Sequence, residues 1–372
     1  MLIAKDMRNW TKLFVCYVGL VIRAYHVVAL TLDEPLEYSS DTIPVHCGRN
    51  SFDDPWVSLF RPDRPPYSVL GVTKRIVGGT ISKLGEWPWL ASFIFYQNAV
   101  QVRRQQERER LAWQSRHGLS ASEEFKGTYF EPPTLVFPQP DGGRKFHMCG
   151  GTLIHPRWVL SAAHCFVTAH KDYPDLAPIP ERWTVRVGEH DMLDETVPHY
   201  DMEVEQIIVN AEYNPNTQSG DIALVKLTRP VPKTRHVNIA CLPAEHEEVE
   251  PETLCFSAGW GHQEESAKTI STVLRHVALP IVSNEQCRES YGNLNETLPY
   301  TIVDSMICAG DVRGGKDSCQ FDSGGPLMCL HGSQWRVEGV VSFGFSCGTQ
   351  IPGVYTRVSS YVKWIKEVTN IF

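Results

Sequence analysis

From position 76 onward the chain breaks into short β-branched and aromatic runs, at 151–154, 183–187, 222–227, 272–282 and 335–343, with Gly, Pro and Asn between them. Runs of this kind, each ended by turn residues, predict an all-β domain, either a barrel or a sandwich. One segment departs from the pattern. Tyr361, Val362, Trp364, Ile365, Val368 and Ile371 recur at helical spacing, which predicts one amphipathic helix closing the domain. With 372 residues and 42% hydrophobic content the chain has enough apolar material for a substantial core, and disorder throughout is excluded.

Two long stretches interrupt the strands. The first, 96–146, carries Arg103-Arg104-Gln105-Gln106-Glu107-Arg108-Glu109-Arg110 near its start and a Pro-rich end; the second, 169–182, carries Pro174, Pro178 and Pro180. Loops of this length in a compact domain are functional or disordered. The alternating Glu and Arg of the first read as a solvated helix or a disordered loop, with an exosite as the rival reading. No internal repeat is present.

Eleven cysteines are too many for an ordinary cytosolic enzyme, and they lack the paired CxxC clusters of structural zinc sites. Cys16 lies in the N-terminal apolar run, which leaves ten, an even set that favours an oxidising compartment and whose pairing the spacing leaves open. Lys5, Arg8 and Lys12, the apolar run 13–22, and the small residues Ala24 and Ala29 read as a signal peptide over 1–29. The rival is a signal anchor, but Arg23 and His26 interrupt the run well before the ~20 apolar residues of a spanning helix. A secreted, extracellular protein is expected, with no membrane segment in its mature form. Residues 30–75, rich in Pro, Asp and Ser with one cysteine, read as a propeptide, and 76–372 as the main domain. The formal charge of -8 gives no electrostatic reason to expect nucleic acid or anionic membrane as a partner.

Three short contexts carry chemistry: Leu160-Ser161-Ala162-Ala163-His164-Cys165, Asp221-Ile222-Ala223-Leu224-Val225, and Asp317-Ser318-Cys319-Gln320-Phe321-Asp322-Ser323-Gly324-Gly325-Pro326. A serine hydroxyl is a weak nucleophile at neutral pH and needs a base within hydrogen-bond reach, itself held by a third group. Singly each context is weak, since a His beside a Cys is more often structural and an Asp before an apolar strand is usually a turn residue. Jointly, His164, Asp221 and Ser323 supply the three roles of a catalytic triad.

With Arg75-Ile76-Val77-Gly78-Gly79, these motifs resemble the trypsin-like serine proteases of chymotrypsin fold, from position 75 to the last helix, about four fifths of the chain. The resemblance implies two antiparallel six-stranded β-barrels with a C-terminal α-helix and the triad in the cleft between them. It implies the disulfides Cys47–Cys241, Cys149–Cys165, Cys255–Cys329, Cys287–Cys308 and Cys319–Cys347. It places Asp317 at the base of the primary specificity pocket, Gly344 and Gly353 at its walls and Ser342 among the substrate-binding residues, hence cleavage of protein substrates after Arg or Lys. Against this stands a solvated loop acid after Lys316. Cleavage after Arg75 by an activating trypsin-like protease would free the Ile76 ammonium to pair with Asp322, so the chain reads as a zymogen whose propeptide stays attached through Cys47.

The oxyanion donors implied by the resemblance are the N–H groups of Phe321 and Ser323. The family normally has glycine where this chain has Phe321, which supports a gate on the leaving-group side of the cleft and restricted access for protein inhibitors. The alternative is a catalytically impaired, protease-like binding or regulatory protein. Asn295-Glu296-Thr297 is a glycosylation sequon. Glu189, Asp191, Asp194 and Glu195 lie where some relatives bind calcium; they read first as a solvated acidic loop, so no metal and no cofactor is required. Limited processing fits the long loops better than digestion.

Overall fold

The computed structural model describes residues 47–50, 79–117, 135–167, 177–264, 267, 269–294, 301–311 and 313–371. The expected signal peptide, the Arg75-Ile76 junction, Asn295 and nearly all of the expected propeptide lie outside them. The strands are β1 (Thr80–Ile81), β2 (Leu90–Gln97), β3 (Val136–Pro138), β4 (Arg144–His155), β5 (Trp158–Ser161), β6 (Trp183–Val187), β7 (Tyr200–Val209), β8 (Ala223–Leu227), β9 (Leu254–Gly259), β10 (Arg275–Val282), β11 (Met306–Ala309), β12 (Pro326–His331), β13 (Gln334–Phe343) and β14 (Gly353–Arg357).

Alternation along the strands decides which face turns inward. In β6, Trp183, Val185 and Val187 are buried while Thr184 and Arg186 face outward; in β7, Met202 and Val204 are buried between exposed Asp201, Glu203 and Glu205. Antiparallel pairing in the order β2-β6-β7-β8-β5-β4 closes on itself through β2 and β4 to make one six-stranded barrel, with β3 added to β4. The second barrel runs β10-β11-β14-β13-β12-β9 and closes through β9 and β10, with β1 added to β10. Phe95 and Trp183 (4.8 Å between ring centres) and Phe93 and Phe166 (5.2 Å) fill the first barrel. Trp87 meets Trp335 edge-on at 5.1 Å and Phe256 at 5.7 Å, so aromatic rings join the two barrels. Truncating a buried ring of this kind costs about 3–5 kcal/mol.

Three α-helices accompany the strands among the described residues, where periodicity predicts one. The expected one, α3 (Val362–Thr369), buries Val362, Ile365 and Thr369 and stops at Asn370, whose left-handed φ of 54° lets its N–H bond to Lys366 O. The others, α1 (Ala99–His117) and α2 (Asn284–Gly292), lack a broad apolar stripe. Each announces itself at its start instead. Asn98 and Gln101 exchange side-chain-to-backbone bonds (3.0 and 3.1 Å) ahead of α1, and Ser283 Oγ accepts from the Gln286 N–H (3.2 Å) at α2. α1 is the solvated helix that its Arg/Glu alternation predicts. Glutamines dock it: Arg144 donates to Gln97 (2.7 Å) and Gln105 (3.0 Å), and Gln97 Nε2 donates to Gln105 (2.8 Å).

Five disulfides tie the chain, Cys47–Cys241, Cys149–Cys165, Cys255–Cys329, Cys287–Cys308 and Cys319–Cys347. No helix among the described residues is long and apolar enough to cross a membrane.

Candidate active site

The register of β5 against β8 pairs Ser161 with Ala223, so in this antiparallel ladder the residues just after β5 meet those just before β8. His164, in the 3-10 turn Ala163–Cys165 that follows β5, therefore sits beside Asp221. Nδ1 of His164 lies 2.7 Å from Asp221 Oδ2, and the His164 backbone N–H donates to Oδ1 at 2.9 Å. Asp221 has no solvent exposure. Ser342 Oγ, from the second barrel, donates to Oδ2 as well, and Thr356 Oγ1 donates to the Asp221 carbonyl at 2.7 Å. Burial pushes the Asp221 carboxyl up, but the His164 charge and these hydrogen bonds outweigh it and hold its pKa below the ordinary value. Burial likewise pulls His164 down, and the Asp221 charge and hydrogen bond more than reverse this, so its pKa is raised. Because a carboxylate only accepts, Nδ1 carries the proton, which leaves Nε2 of the neutral ring able to take one.

Ser323 comes to this pair across the barrel boundary. The Gly150 N–H donates to Ser323 O at 2.8 Å, and the neighbouring Cys149 is bridged to Cys165, the residue after His164. The Oγ to Nε2 hydrogen bond itself is not formed in this structure. In the loop around Ser323, the Asp322 N–H donates to Cys319 O (3.0 Å) and the Gly324 N–H to Val341 O (2.9 Å). The N–H groups of Phe321 and Ser323 bond to no protein group among the described residues.

Phe321 has φ 72°, in the left-handed region that glycine adopts freely and an aromatic residue does not. The loop keeps a glycine-like conformation in spite of the side chain. The ring packs on His262, 5.2 Å between centres, and remains partly exposed.

Asp322 is buried, with Oδ1 accepting from the Gly261 N–H (2.8 Å) and Oδ2 from the Cys319 N–H (3.0 Å). Burial pushes its pKa up to about 6, against these two bonds. Gly259 and Gly261 make the cradle, because a Cβ on either would stand 2.2 or 2.5 Å from the carboxylate. Sequence reasoning missed both. The only signal was the Gly259-Trp260-Gly261 spacing inside a strand end, where glycine marks close approach of another group.

Asp317 is also buried rather than a solvated loop acid. Oδ2 accepts from the Gly348 N–H at 3.2 Å, Oδ1 has no hydrogen-bond partner among the described residues, and desolvation pushes the carboxyl up to about 7. Gly353 lies against it: a Cβ there would stand 3.0 Å from Oδ1, whereas Gly344 meets nothing closer than 3.9 Å. The Cys319–Cys347 bridge ties together the two segments that carry Asp317 and Gly348.

The acidic loop departs from expectation at one residue. Asp194 and Glu195 are exposed, but Glu189 is buried, its Oε2 receiving Arg186 NH1 at 3.1 Å and its Oε1 the His190 N–H at 2.8 Å. Arg186 also grips Asp201 at 2.7 and 3.0 Å. The Arg186 guanidinium thus neutralises the buried Glu189 carboxylate.

Residues 129–365, more than half of the chain, match the family model described as Trypsin.

Proposed function

The chain belongs to the trypsin family of serine proteases, and on that premise we propose that it is a secreted endopeptidase, made as a zymogen, that cuts protein substrates after Arg or Lys. One observation carries the substrate class: Asp317 presents a buried carboxylate oxygen with no hydrogen-bond partner among the described residues. Such a group is costly unless a cation completes it, and a long cationic side chain has room beside Gly344 and Gly353.

In the proposed reaction Ser323 Oγ attacks the carbonyl after the bound Arg or Lys while His164 Nε2 takes its proton. Asp221 holds the tautomer in which Nε2 is free and stabilises the imidazolium that forms. The amides of Phe321 and Ser323 donate to the carbonyl oxygen as it becomes an oxyanion. His164 then protonates the leaving amine, the C–N bond breaks, and water activated by the same ring hydrolyses the acyl ester. The reading requires no metal or cofactor.

Activation rests on Asp322. Among the described residues its buried carboxylate is bonded by backbone amides alone, and the ammonium freed at Ile76 by a trypsin-like protease cutting after Arg75 would supply a cation. Five disulfides support an oxidising compartment, and Cys47–Cys241 would retain the propeptide after cleavage. Asn295 is proposed as a glycosylation acceptor. Limited proteolysis, with protein inhibitors screened by the Phe321 ring, suits the long loops.

The second reading, an impaired protease-like binding protein, rests on the left-handed φ of Phe321. One experiment separates the two. Protein cleaved after Arg75 is given an Arg-containing chromogenic peptide and a fluorophosphonate probe. Turnover and labelling of Ser323 are expected, and a protein that neither turns over nor labels is not an enzyme.

A further inference from the structure

Phe321 is flanked by two peptide planes, and both are pinned. The Gln320 carbonyl, on the plane that carries the Phe321 N–H, accepts from the His262 N–H at 2.9 Å. The next plane is held twice, by the Asp322 N–H on Cys319 O and, from the other barrel, by His147 Nε2 at 2.9 Å from Phe321 O. Residues in sparsely populated backbone regions, at about 1–3 kcal/mol each, persist only where surrounding bonds over-determine them. Among the described residues, the side chain that hydrogen-bonds to these two planes is His147.

His147 is built for that bond. It lies in β4, is 1% exposed, and has Nδ1 2.7 Å from the Oγ of Ser92, which is itself fully buried. A carbonyl only accepts, so Nε2 must carry the proton; the bare Nδ1 of the neutral ring then accepts from the Ser92 hydroxyl. The result is a directed relay, Ser92 Oγ–H to His147 Nδ1, then His147 Nε2–H to Phe321 O. The indole of Trp260 packs edge-on to the imidazole at 5.8 Å and completes its setting. Burial lowers the pKa of His147 to about 4, consistent with a neutral ring in this tautomer.

We propose that His147, set by Ser92, is a positioning residue for the oxyanion site: its hold on the Phe321 carbonyl keeps Phe321 left-handed and its N–H turned toward the reacting carbonyl. The inference rests on the proteolytic reading above and deepens it. Glycine at 321 would hold φ near 72° with little strain and would need the clamp little. Phenylalanine regains stability by swinging to negative φ once released, and that swing carries its N–H away. The dependence on His147 therefore arises from the β-carbon of Phe321.

The test is a cycle of variants of the full chain, cleaved after Arg75 and assayed on a small Arg ester. His147→Leu should lower kcat at least tenfold with KM little changed, and His147→Gln, which keeps both an N–H for Phe321 and an acceptor for Ser92, should recover most of the loss. In a Phe321→Gly background, His147→Leu should cost less than threefold. An equal loss in both backgrounds, or no loss in either, would overturn the proposal. A crystal structure of His147→Leu gives a readout that needs no turnover: φ of Phe321 should become negative, and a φ still near 72° would refute the clamp even if the protein proves not to be a protease.

Discussion

Asp221 Oδ2 lies 2.7 Å from His164 Nδ1 in a site where Asp221 has no contact with solvent, and the same oxygen takes a second bond from Ser342 of the other barrel. Replacing Asp221 with Asn would offer His164 a donor where it needs an acceptor and would favour the opposite tautomer. A fall in kcat of about 10³–10⁴ is expected, with the fold intact by circular dichroism. The pH profile should carry the same signature. The proton on His164 is favoured by Asp221, so the group needed as a neutral base is lost as pH falls through a value above 6.5, and kcat of the parent should decline on that acid side.

Asp317 should make cation binding strongly pH-dependent. Its carboxyl is pushed up to about 7 by burial, and only the ionised form pairs with a cation. Below that value benzamidine affinity of the free enzyme should fall about tenfold per pH unit, as one proton must leave for each ligand bound. Isothermal titration measures this directly, and a flat profile down to pH 5 would remove Asp317 from the pocket. Asp317→Ser should abolish cleavage after Arg and Lys without unfolding the protein.

The uncut protein should be nearly inactive. Arg75→Gln is expected to block activation, and Ile76→Gly to weaken even the cut form, because glycine buries no apolar surface to anchor the new ammonium. Chromogenic turnover before and after treatment with trypsin tests both. Full activity of Arg75→Gln would contradict the zymogen assignment.

Phe321→Gly separates strain from obstruction. Since the backbone already holds φ 72°, turnover of a small ester should rise only a few-fold, while inhibition by bulky protein inhibitors should strengthen much more as the ring leaves the neighbourhood of His262. A gain of about a hundredfold or more on the ester would mean that the oxyanion donor was impaired. No change in either would make the ring irrelevant to both.

Arg186 should do the work that calcium does elsewhere. The melting temperature of the parent should be the same in EDTA and in millimolar calcium. Arg186→Met leaves Glu189 buried without its cation and should destabilise the fold by about 3–5 kcal/mol, read by denaturant unfolding. Calcium-dependent stability of the parent would show the acidic loop to be a metal site after all.

Much of the arrangement was legible because it is written locally. Alternation along 183–187 and the apolar spacing of 361–371 depend on residues within one element, and both appear in β6 and α3. The contexts of His164, Asp221 and Ser323 were readable as motifs because a reactive side chain constrains its immediate neighbours. The starts of α1 and α2 were also written in the chain, at Asn98 and Ser283, but polar helices carry no apolar period to draw attention to them.

What the tertiary structure alone decided are the contacts between segments far apart in the chain. Barrel closure brings β4 against the loop that carries Ser323 and so places His147, 174 residues away, on the carbonyl of Phe321. It also folds Gly259 and Gly261 around Asp322, which lies 61 residues beyond Gly261 in the chain. Composition sets which residues are able to ionise, bond or strain. Whether a carboxylate meets water or a guanidinium, and whether a phenylalanine is held at a positive φ, depends on which groups the closed barrels bring against it, and that is a property of three-dimensional packing that no local run of residues contains.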